Sequence, residues 1–432
     1  MAKLLPQVLK GFRDYLPEVM IPRQRMLRTI AEVFERFGFV PLDTPALEYA
    51  ELLTGKYGDE GEGLLYRFAD HGGRQIALRY DLTVPLARVM GGHPELPIPF
   101  KRYQIGPVWR AEKPGRGRFR EFSQCDVDIV GSTSMVADFE CLQVDAAVLR
   151  ALGLERFRIR VNNRKLLDGI LEHHGCTTPD RVVATLRAVD KLEKAGQEPV
   201  IALLVQEAGW DAAAAADLLQ QLAGSTLDFP FTNPRLEEGR QELSQLFTLA
   251  ARVGIEPYLG LDLTIARGLD YYTGTVFETF LTDLPGFGSV MSGGRYDGLV
   301  GLFRSQPLPA VGISLGVDRL LAGLTELGLL PPVRSTARVL LAVFGPETLG
   351  ETLLVAAELR AAGIPTEVFP SEGGKLGKQY KYADQKGISV VGLVGPEEQT
   401  ANTVKLKVLA DQRELTVPRA ALVSEVLGLL QG

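Results

Sequence analysis

The sequence predicts an α+β fold: an antiparallel-sheet domain interrupted by a helical insertion and followed by a smaller α/β domain. Three observations carry this. Strand-like runs separated by Gly/Pro turns crowd the stretch from about 75 to 130 and return from 256 to 290. Between them, residues ~166–250 carry helical patterns and few strand signals. Past Pro331-Pro332, strand-like and helix-like runs alternate, as a mainly parallel sheet requires.

Residues 23–38 place Met26, Ile30, Val33, Phe34 and Phe37 at helical spacing, with Gly38 as the stop. FVPLDTPALE follows as a short strand that Pro41 and Pro45 confine to an edge or an irregular role. QIALRY, RYQIGPVWR and FREFSQCDVDIV are the strands of the antiparallel sheet. DAAAAADLLQQL at 211–222 is the clearest helix of the insertion. VGISLGVDRLLAGL at 311–324 reads as strand into helix, so the first and third portions form one unit split in the chain. In the last portion VLLAVF, TEVF, SVVGLVG and TVKLKVL read as strands, with helices around 347–362 and 375–386. The expected domains are 1–165 together with 251–330, an insertion at 166–250, a linker at 331–336, and 337–432.

With 432 residues, 46% of them hydrophobic, the chain can bury a large core, which excludes a disordered or collagen-like protein. It has no run of 18 apolar residues and no secretory h-region, so no membrane association is expected. Cys125, Cys141 and Cys176 form no CxxC pair, which points to a reducing cytoplasm and no zinc site. The four histidines lack metal-like spacing, and neither HExxH nor GxSxG occurs. A net charge of −6 excludes a wholesale nucleic-acid coat and leaves local basic patches.

One such patch is KRYQIGPVWRAEKPGRGRFR at 101–120, with seven basic residues against one acid. PGRG is turn-forming, so the segment reads as a hairpin with an arginine-rich tip, either a solvated basic hairpin or a polyphosphate or nucleic-acid contact. Immediately after it, Gln124, Asp126 and Asp128 share one face of a strand. Alternation of this kind is commonly a half-exposed sheet face; flanked by apolar residues, it also suits a small ligand with amine or N–H donors. RYDLT at 79–83 is another acid-bearing strand end, and ARGLDYYTGTVFE at 266–278 joins an arginine, an acid and two tyrosines to two glycines. GGRYDGLV at 293–300 matches neither GxxxxGK[ST] nor GxGxxG and is not a phosphate loop of either kind.

Taken in order and spacing, these segments resemble the class II aminoacyl-tRNA synthetases, and within them the histidyl-tRNA synthetases. ERFGFVPLDTPALE resembles motif 1, with Pro45 as its proline. Gly106 to Asp128 resembles motif 2, with Arg110 and Glu112 in its Arg-x-Glu positions. VGISLGVDRL resembles motif 3, with Arg319 as its arginine. GFRDYLP, LRYDLT, ARGLDYYTG and GGRYDG resemble signatures of the histidine enzymes, and LRYDLT and VDKLEK resemble their eukaryotic-type branch more than the commonest bacterial one. The C-terminal portion resembles the anticodon-binding domain of this subgroup.

The resemblance implies histidine activation by ATP, transfer to histidine tRNA, a cytoplasmic homodimer with motif 1 in its interface, and Mg²⁺ accompanying ATP. It implies that Arg110 holds the α-phosphate, Arg319 the γ-phosphate, and that Arg118 helps bind the polyphosphate. Glu112 would read the adenine amine and Phe122 stack on its ring. Asp81, Thr83 and Gln124 would hold the α-ammonium of histidine; Asp128 and Tyr272 would recognise its imidazole, with Tyr271 lining the pocket. Arg267 would sit at the carboxylate and α-phosphate junction. Metal ligands are not assignable from the sequence. The PGRG tip lacks the glutamine that many bacterial relatives carry there. The lysines of 370–390 (Lys375, Lys378, Lys381, Lys386) either meet the anticodon stem or form a solvated helix face. The competing reading is a non-catalytic regulatory subunit of ATP phosphoribosyltransferase, against which the intact RGLDYYTG and the C-terminal domain argue.

Overall fold

The computed structural model describes residues 5–54, 63–115, 117–266 and 272–431. The chain divides into two compact units. One comprises residues 1–13 with 26–330, the other residues 14–25 with 331–432.

The periodic apolar run near the N-terminus forms α1 (Pro17–Arg36). Gly38, at φ +77°, ends it where a Cβ would be strained. Eight strands then build the large sheet of the first unit: β1 (Val40–Pro41), β2 (Phe100–Trp109), β3 (Glu121–Val130), β4 (Phe157–Asn163), β5 (Leu259–Leu261), β6 (Thr275–Leu281), β7 (Met291–Arg295) and β8 (Ala310–Gly316). Their order is β1-β2-β3-β8-β7-β6-β4-β5. All neighbours are antiparallel except the two edge pairs, β1 with β2 and β4 with β5. Strands from both sides of the 166–250 stretch thus interleave in one sheet. β3 is buried on both faces along most of its length, as a central strand must be.

Helix α2 (Thr83–Gly92) follows the RYDLT segment, and α3 (Met135–Ala151) covers one face of the sheet. Two polar tethers fix α3 there. Asp138 takes a short ion pair from Arg295 of β7, and Asp145 accepts a hydrogen bond from Thr279 of β6. Because side chains alternate along a strand, Ser292 of β7 and Glu278 of β6 point to the opposite face. Beside the large sheet, strands Leu47–Tyr49, Arg67–Ala69 and Gln75–Leu78 form a small antiparallel sheet.

Residues 164–253 are helical. Asn163 caps α4 (Arg164–His173), and Asn233 with Pro234 opens α5 (Pro234–Val253). These two cross where Gly169 meets Leu236 and Gly239 meets Leu166. A Cβ at either glycine would lie within about 2.5 Å of backbone nitrogen. The 211–222 run forms a helix over Ala212–Ala223, capped by Asp211.

Helix α6 (Val317–Glu326) follows β8 directly. In the second unit the strands are β9 (Val339–Val343), β10 (Thr366–Val368), β11 (Val390–Val394), β12 (Thr403–Val408) and β13 (Glu414–Pro418), in the order β10-β9-β11-β12-β13. The expectation of a mainly parallel sheet is corrected here. Two pairings are parallel and two antiparallel. The short β13 joins β12 through a tight turn rather than a helical crossover, and a hairpin connection forces antiparallel pairing. Helices at Pro346–Ala361 and Leu376–Gln385 occupy the two expected stretches.

Candidate active site

The face of the large sheet opposite α3 carries a polar floor set by strand register. One row runs Gln104, Asp126, Ser314, Ser292, Glu278 across β2, β3, β8, β7 and β6. The adjacent row runs Arg102, Asp128, Gly312, Gly294, Val276. The two glycines of the second row are spaces for neighbouring side chains. A Cβ at Gly312 would lie 2.0 Å from Asp128 Oδ1, and one at Gly294 would lie 2.9 Å from the Tyr272 ring. The Asp128 carboxylate and the Tyr272 ring therefore rest on adjacent glycines and leave a slot between them.

Above this floor lies a cavity of about 360 Å³, a size suited to a small-molecule site. One end is rich in hydrogen-bond acceptors. Asp128 Oδ2 is 2.7 Å from Arg102 Nη2, and Oδ1 accepts a short hydrogen bond from Tyr296. Burial raises the Asp128 pKa, and the Arg102 guanidinium opposes that rise. Asp126 is also fully buried, and its carboxyl is pushed up to about 7, first by burial. Gln124 donates to Ser314 at 2.5 Å. Among the described residues, Gln124 Oε1 and Asp126 Oδ1 have no hydrogen-bond partner, although both side chains are more than nine-tenths buried. Buried acceptors of this kind call for a ligand donor. Asp81 Oδ1 accepts from the backbone N–H groups of Thr83 and Val84 at 3.1 and 3.0 Å, which fixes the carboxylate at the start of α2.

The other end is cationic and aromatic. Arg110 lies over the rings of Tyr80 and Phe122, 4.3 and 5.1 Å from their centroids, and donates to Tyr80 O. Glu112 and Arg118 are paired at 3.3 Å. Arg319 donates to Ser289 O at 2.8 Å. The loop joining β2 to β3 is held from two sides. Arg120 N–H donates to Gly11 O at 2.8 Å, while Arg13 lies 3.8 Å over the Phe119 ring and forms a short ion pair with Asp318, which also accepts from Ser123 N at the start of β3.

Of the residues expected from the sequence, Asp81, Thr83, Arg110, Glu112, Arg118, Phe122, Gln124, Asp128, Tyr272 and Arg319 all line this one cavity. Arg267 and Tyr271 lie outside the described residues. The basic run at 101–120 divides. Lys101 pairs with Glu140 at 2.6 Å and Arg102 is buried beneath Asp128, so neither belongs to a solvated tip. Sequence reasoning placed Asp126 on the ligand-facing strand face without a role of its own and assigned no part to Arg102, Glu278, Tyr296 or Ser314. The alternation of Arg102 and Gln104 with apolar neighbours, matching that of β3, was the available signal for Arg102. Among the described residues no cluster of three or more His, Cys, Asp or Glu could hold a metal ion. A nucleotide-borne Mg²⁺ is compatible with that, because it keeps water and phosphate ligands and needs at most one or two carboxylates.

An antiparallel sheet bearing an acceptor-lined pocket at one end and arginines on its hairpin and on the last strand–helix junction at the other defines a class II aminoacyl-tRNA synthetase. A family model described as histidyl-tRNA synthetase matches residues 11–320, and an anticodon-binding-domain model matches 338–429. A histidine–tRNA ligase of Rhodopirellula baltica is 47% identical over 95% of each chain. The solved histidyl-tRNA synthetase of a Nostoc species is 31% identical, with a TM-score of 0.86 over 99% of this chain and 100% of that one. A Bacillus halodurans structure titled ATP phosphoribosyltransferase regulatory subunit/histidyl-tRNA synthetase shares the fold at 22% identity, with a TM-score of 0.74 over 88% of this chain and 97% of that one. The chain belongs to the histidyl-tRNA synthetase family.

Proposed function

We propose that the protein is a histidine–tRNA ligase: it activates histidine with ATP to histidyl-adenylate, releasing pyrophosphate, and transfers the histidyl group to the 3′ end of histidine tRNA. The observation that carries this reading is one cavity with buried acceptors, unpartnered among the described residues, at one end and arginines at the other. The first suits an amino acid with ammonium and ring N–H donors, the second a polyphosphate.

In the reaction the histidine carboxylate attacks the α-phosphorus. It is already a nucleophile at neutral pH, so no general base is required. Two anions must be brought together, and Arg110 and Arg267 would neutralise the charge that develops as they meet. Arg118 and Arg319 would hold the leaving pyrophosphate. Mg²⁺ would enter with ATP and screen its phosphates. Phe122 would stack on adenine and Glu112 accept from its amine. Asp81, Thr83 and Gln124 would hold the α-ammonium. The slot between Asp128 and Tyr272 would take the imidazole, and Tyr271 would line the pocket. An amino acid without the matching N–H would leave a remaining acceptor position of a buried carboxylate unfilled, at a cost of about 1–3 kcal/mol.

The wider organisation belongs to the same reading. Residues 1–165 and 251–330 are the catalytic domain, 166–250 the insertion, 331–336 the linker, and 337–432 the anticodon-binding domain. The exposed lysines of that domain (Lys375, Lys378, Lys381) would meet tRNA phosphates. A homodimer through the motif 1 region is supported by an outward apolar row in the small sheet, Tyr49, Ile76 and Phe68, in register and with Tyr49 and Phe68 half exposed. The protein would work in the cytoplasm.

Histidine-dependent exchange of labelled pyrophosphate into ATP, run beside other amino acids, tests the reading. Exchange with histidine alone is the expected result, and Arg267→Ala should abolish it without unfolding the protein. A folded protein that binds histidine but supports no exchange would instead be the regulatory type.

A further inference from the structure

We infer that Arg102 sets which protonation state of the histidine side chain the pocket accepts: with Asp128 already neutralised, uncharged imidazole binds and imidazolium is rejected. The inference rests on the ligase reading and concerns the specificity of that same site.

Arg102 is fully buried, and its Nη2 lies 2.7 Å from Asp128 Oδ2 while donating to Leu82 O at 3.0 Å. Arg102 Nε and Nη1 have no hydrogen-bond partner among the described residues; Asp128 is the carboxylate this guanidinium is ion-paired with, and its charge also acts on Asp126. The pair is a zero-charge unit. A carboxylate has about four acceptor positions, and Arg102 and Tyr296 occupy two. Asp128 can therefore still accept an imidazole N–H, but it offers no net negative charge to a cation. An imidazolium moved from water into such a site is a buried charge without a counter-ion.

The other charged or titratable groups around Asp128 leave this balance in place. From β8 the facing residue is Gly312, which has no side chain. On the other side of the sheet, the thiol of Cys141 on α3 is held protonated by burial. Glu278 enters the cavity from β6, three strands away. Asp126 is the adjacent acid on β3, with Asp81 acting on it in turn. Asp126 titrates at about 7. As pH falls through that value it gains a proton, over the range in which free imidazole, near 6.5, becomes cationic. The acid next to Asp128 on β3 thus loses its negative charge just as the ligand gains a positive one.

The test uses histidine labelled with ¹⁵N in the ring, bound to the intact protein without ATP. From about pH 7.5 to about pH 5.5, the bound ring should keep the widely split pair of nitrogen signals of neutral imidazole, and the Kd should weaken about tenfold. Triazolylalanine, whose ring stays uncharged over this range, should change less than about twofold. A bound imidazolium signature at the lower pH, or parallel weakening of both ligands, overturns the inference. In Arg102→Met nothing but Tyr296 offsets the burial of Asp128, so at the lower pH the ring and Asp128 together should hold one proton more than in the wild type, read from the ring ¹⁵N signals and from ¹³C-carboxyl aspartate signals. A folded variant that binds histidine with the ring neutral and Asp128 still ionised overturns the role of Arg102. If the variant does not fold, the wild-type ring signals and the triazolylalanine comparison still decide whether the pocket rejects imidazolium. Failure of the wild type to bind histidine at any pH would instead remove the ligase reading.

Discussion

Glu112 Oε2 lies 3.3 Å from Arg118 Nε, so the two residues expected to meet opposite ends of ATP hold each other in the ligand-free cavity. Arg118 is more than half exposed, and such a pair contributes at most about 1 kcal/mol. Nucleotide binding can therefore separate it at little cost. Arg118→Ala should raise the KM for ATP about tenfold, the equivalent of one charge-assisted hydrogen bond, and leave the KM for histidine within about twofold. Steady-state pyrophosphate exchange with each substrate varied in turn checks this. Equal losses for both substrates would place Arg118 outside the nucleotide end.

The floor of the histidine slot is sensitive to a single methyl group. A Cβ at Gly312 would stand 2.0 Å from Asp128 Oδ1, where no side chain can remain without moving the carboxylate. Gly312→Ala should raise the KM for histidine by more than about tenfold, a steric cost above about 1.4 kcal/mol. The KM for ATP should hardly change. A variant with unaltered histidine affinity would show that Asp128 does not border the amino-acid slot.

Asp145 sits behind the sheet, fully buried, with Thr279 as a hydrogen-bond partner and Oδ1 unpartnered among the described residues. Its carboxyl is pushed up to about 7 by burial. The folded state then binds this proton more tightly than the unfolded chain does. That contribution to stability is fully present below the ordinary value of 3.8 and is lost as pH rises to about 7. The span corresponds to about 4 kcal/mol. Asp145→Asn removes the titration, so its stability relative to wild type should rise by about 3 kcal/mol between about pH 5 and about pH 8. Urea unfolding at several pH values measures this, and a constant difference would contradict it.

The outward row of the small sheet gives a prediction about assembly. Glu48 is buried in a bidentate pair with Arg88, while its neighbours Leu47 and Tyr49 face outward, 43% and 49% exposed. This inverts the polarity expected of a strand on a solvated surface. If the proposed homodimer forms through this row, Tyr49→Glu with Phe68→Glu should shift it from dimer to monomer in sedimentation velocity. An unchanged sedimentation coefficient would move the interface elsewhere.

The features legible in the sequence were those encoded within one element. The period-2 pattern placed Gln124, Asp126 and Asp128 on one face of β3, and they are there. The helical spacing around Ile30 and the strand–helix junction at Gly316 were readable for the same reason. What escaped was set by pairing between distant strands. Arg102 sits in a run whose net charge suggested a phosphate-binding tip, and only the β2–β3 register reveals that Asp128 is its partner. Tyr296 reaches the same carboxylate from 168 residues away. In the second unit, β13 is five residues ending in proline, too short for its alternation to stand out, and the direction of β12 against β11 is set by their pairing and not by either strand's own pattern.

The interleaving of β3 with β8 has a consequence during synthesis. Asp128 is made early, but the strand that lies beside it ends only at Gly316, and the hydroxyl that caps it comes from Tyr296. A nascent chain with Asp126, Asp128 and Arg102 translated and β8 still inside the ribosome carries an unpaired, apolar strand edge and buried charges with nowhere to settle. Sheet closure in this unit must wait for nearly three-quarters of the polypeptide, so this protein should depend on holding factors while it is being made, and prematurely terminated fragments should be cleared rather than retained as partial binders of histidine.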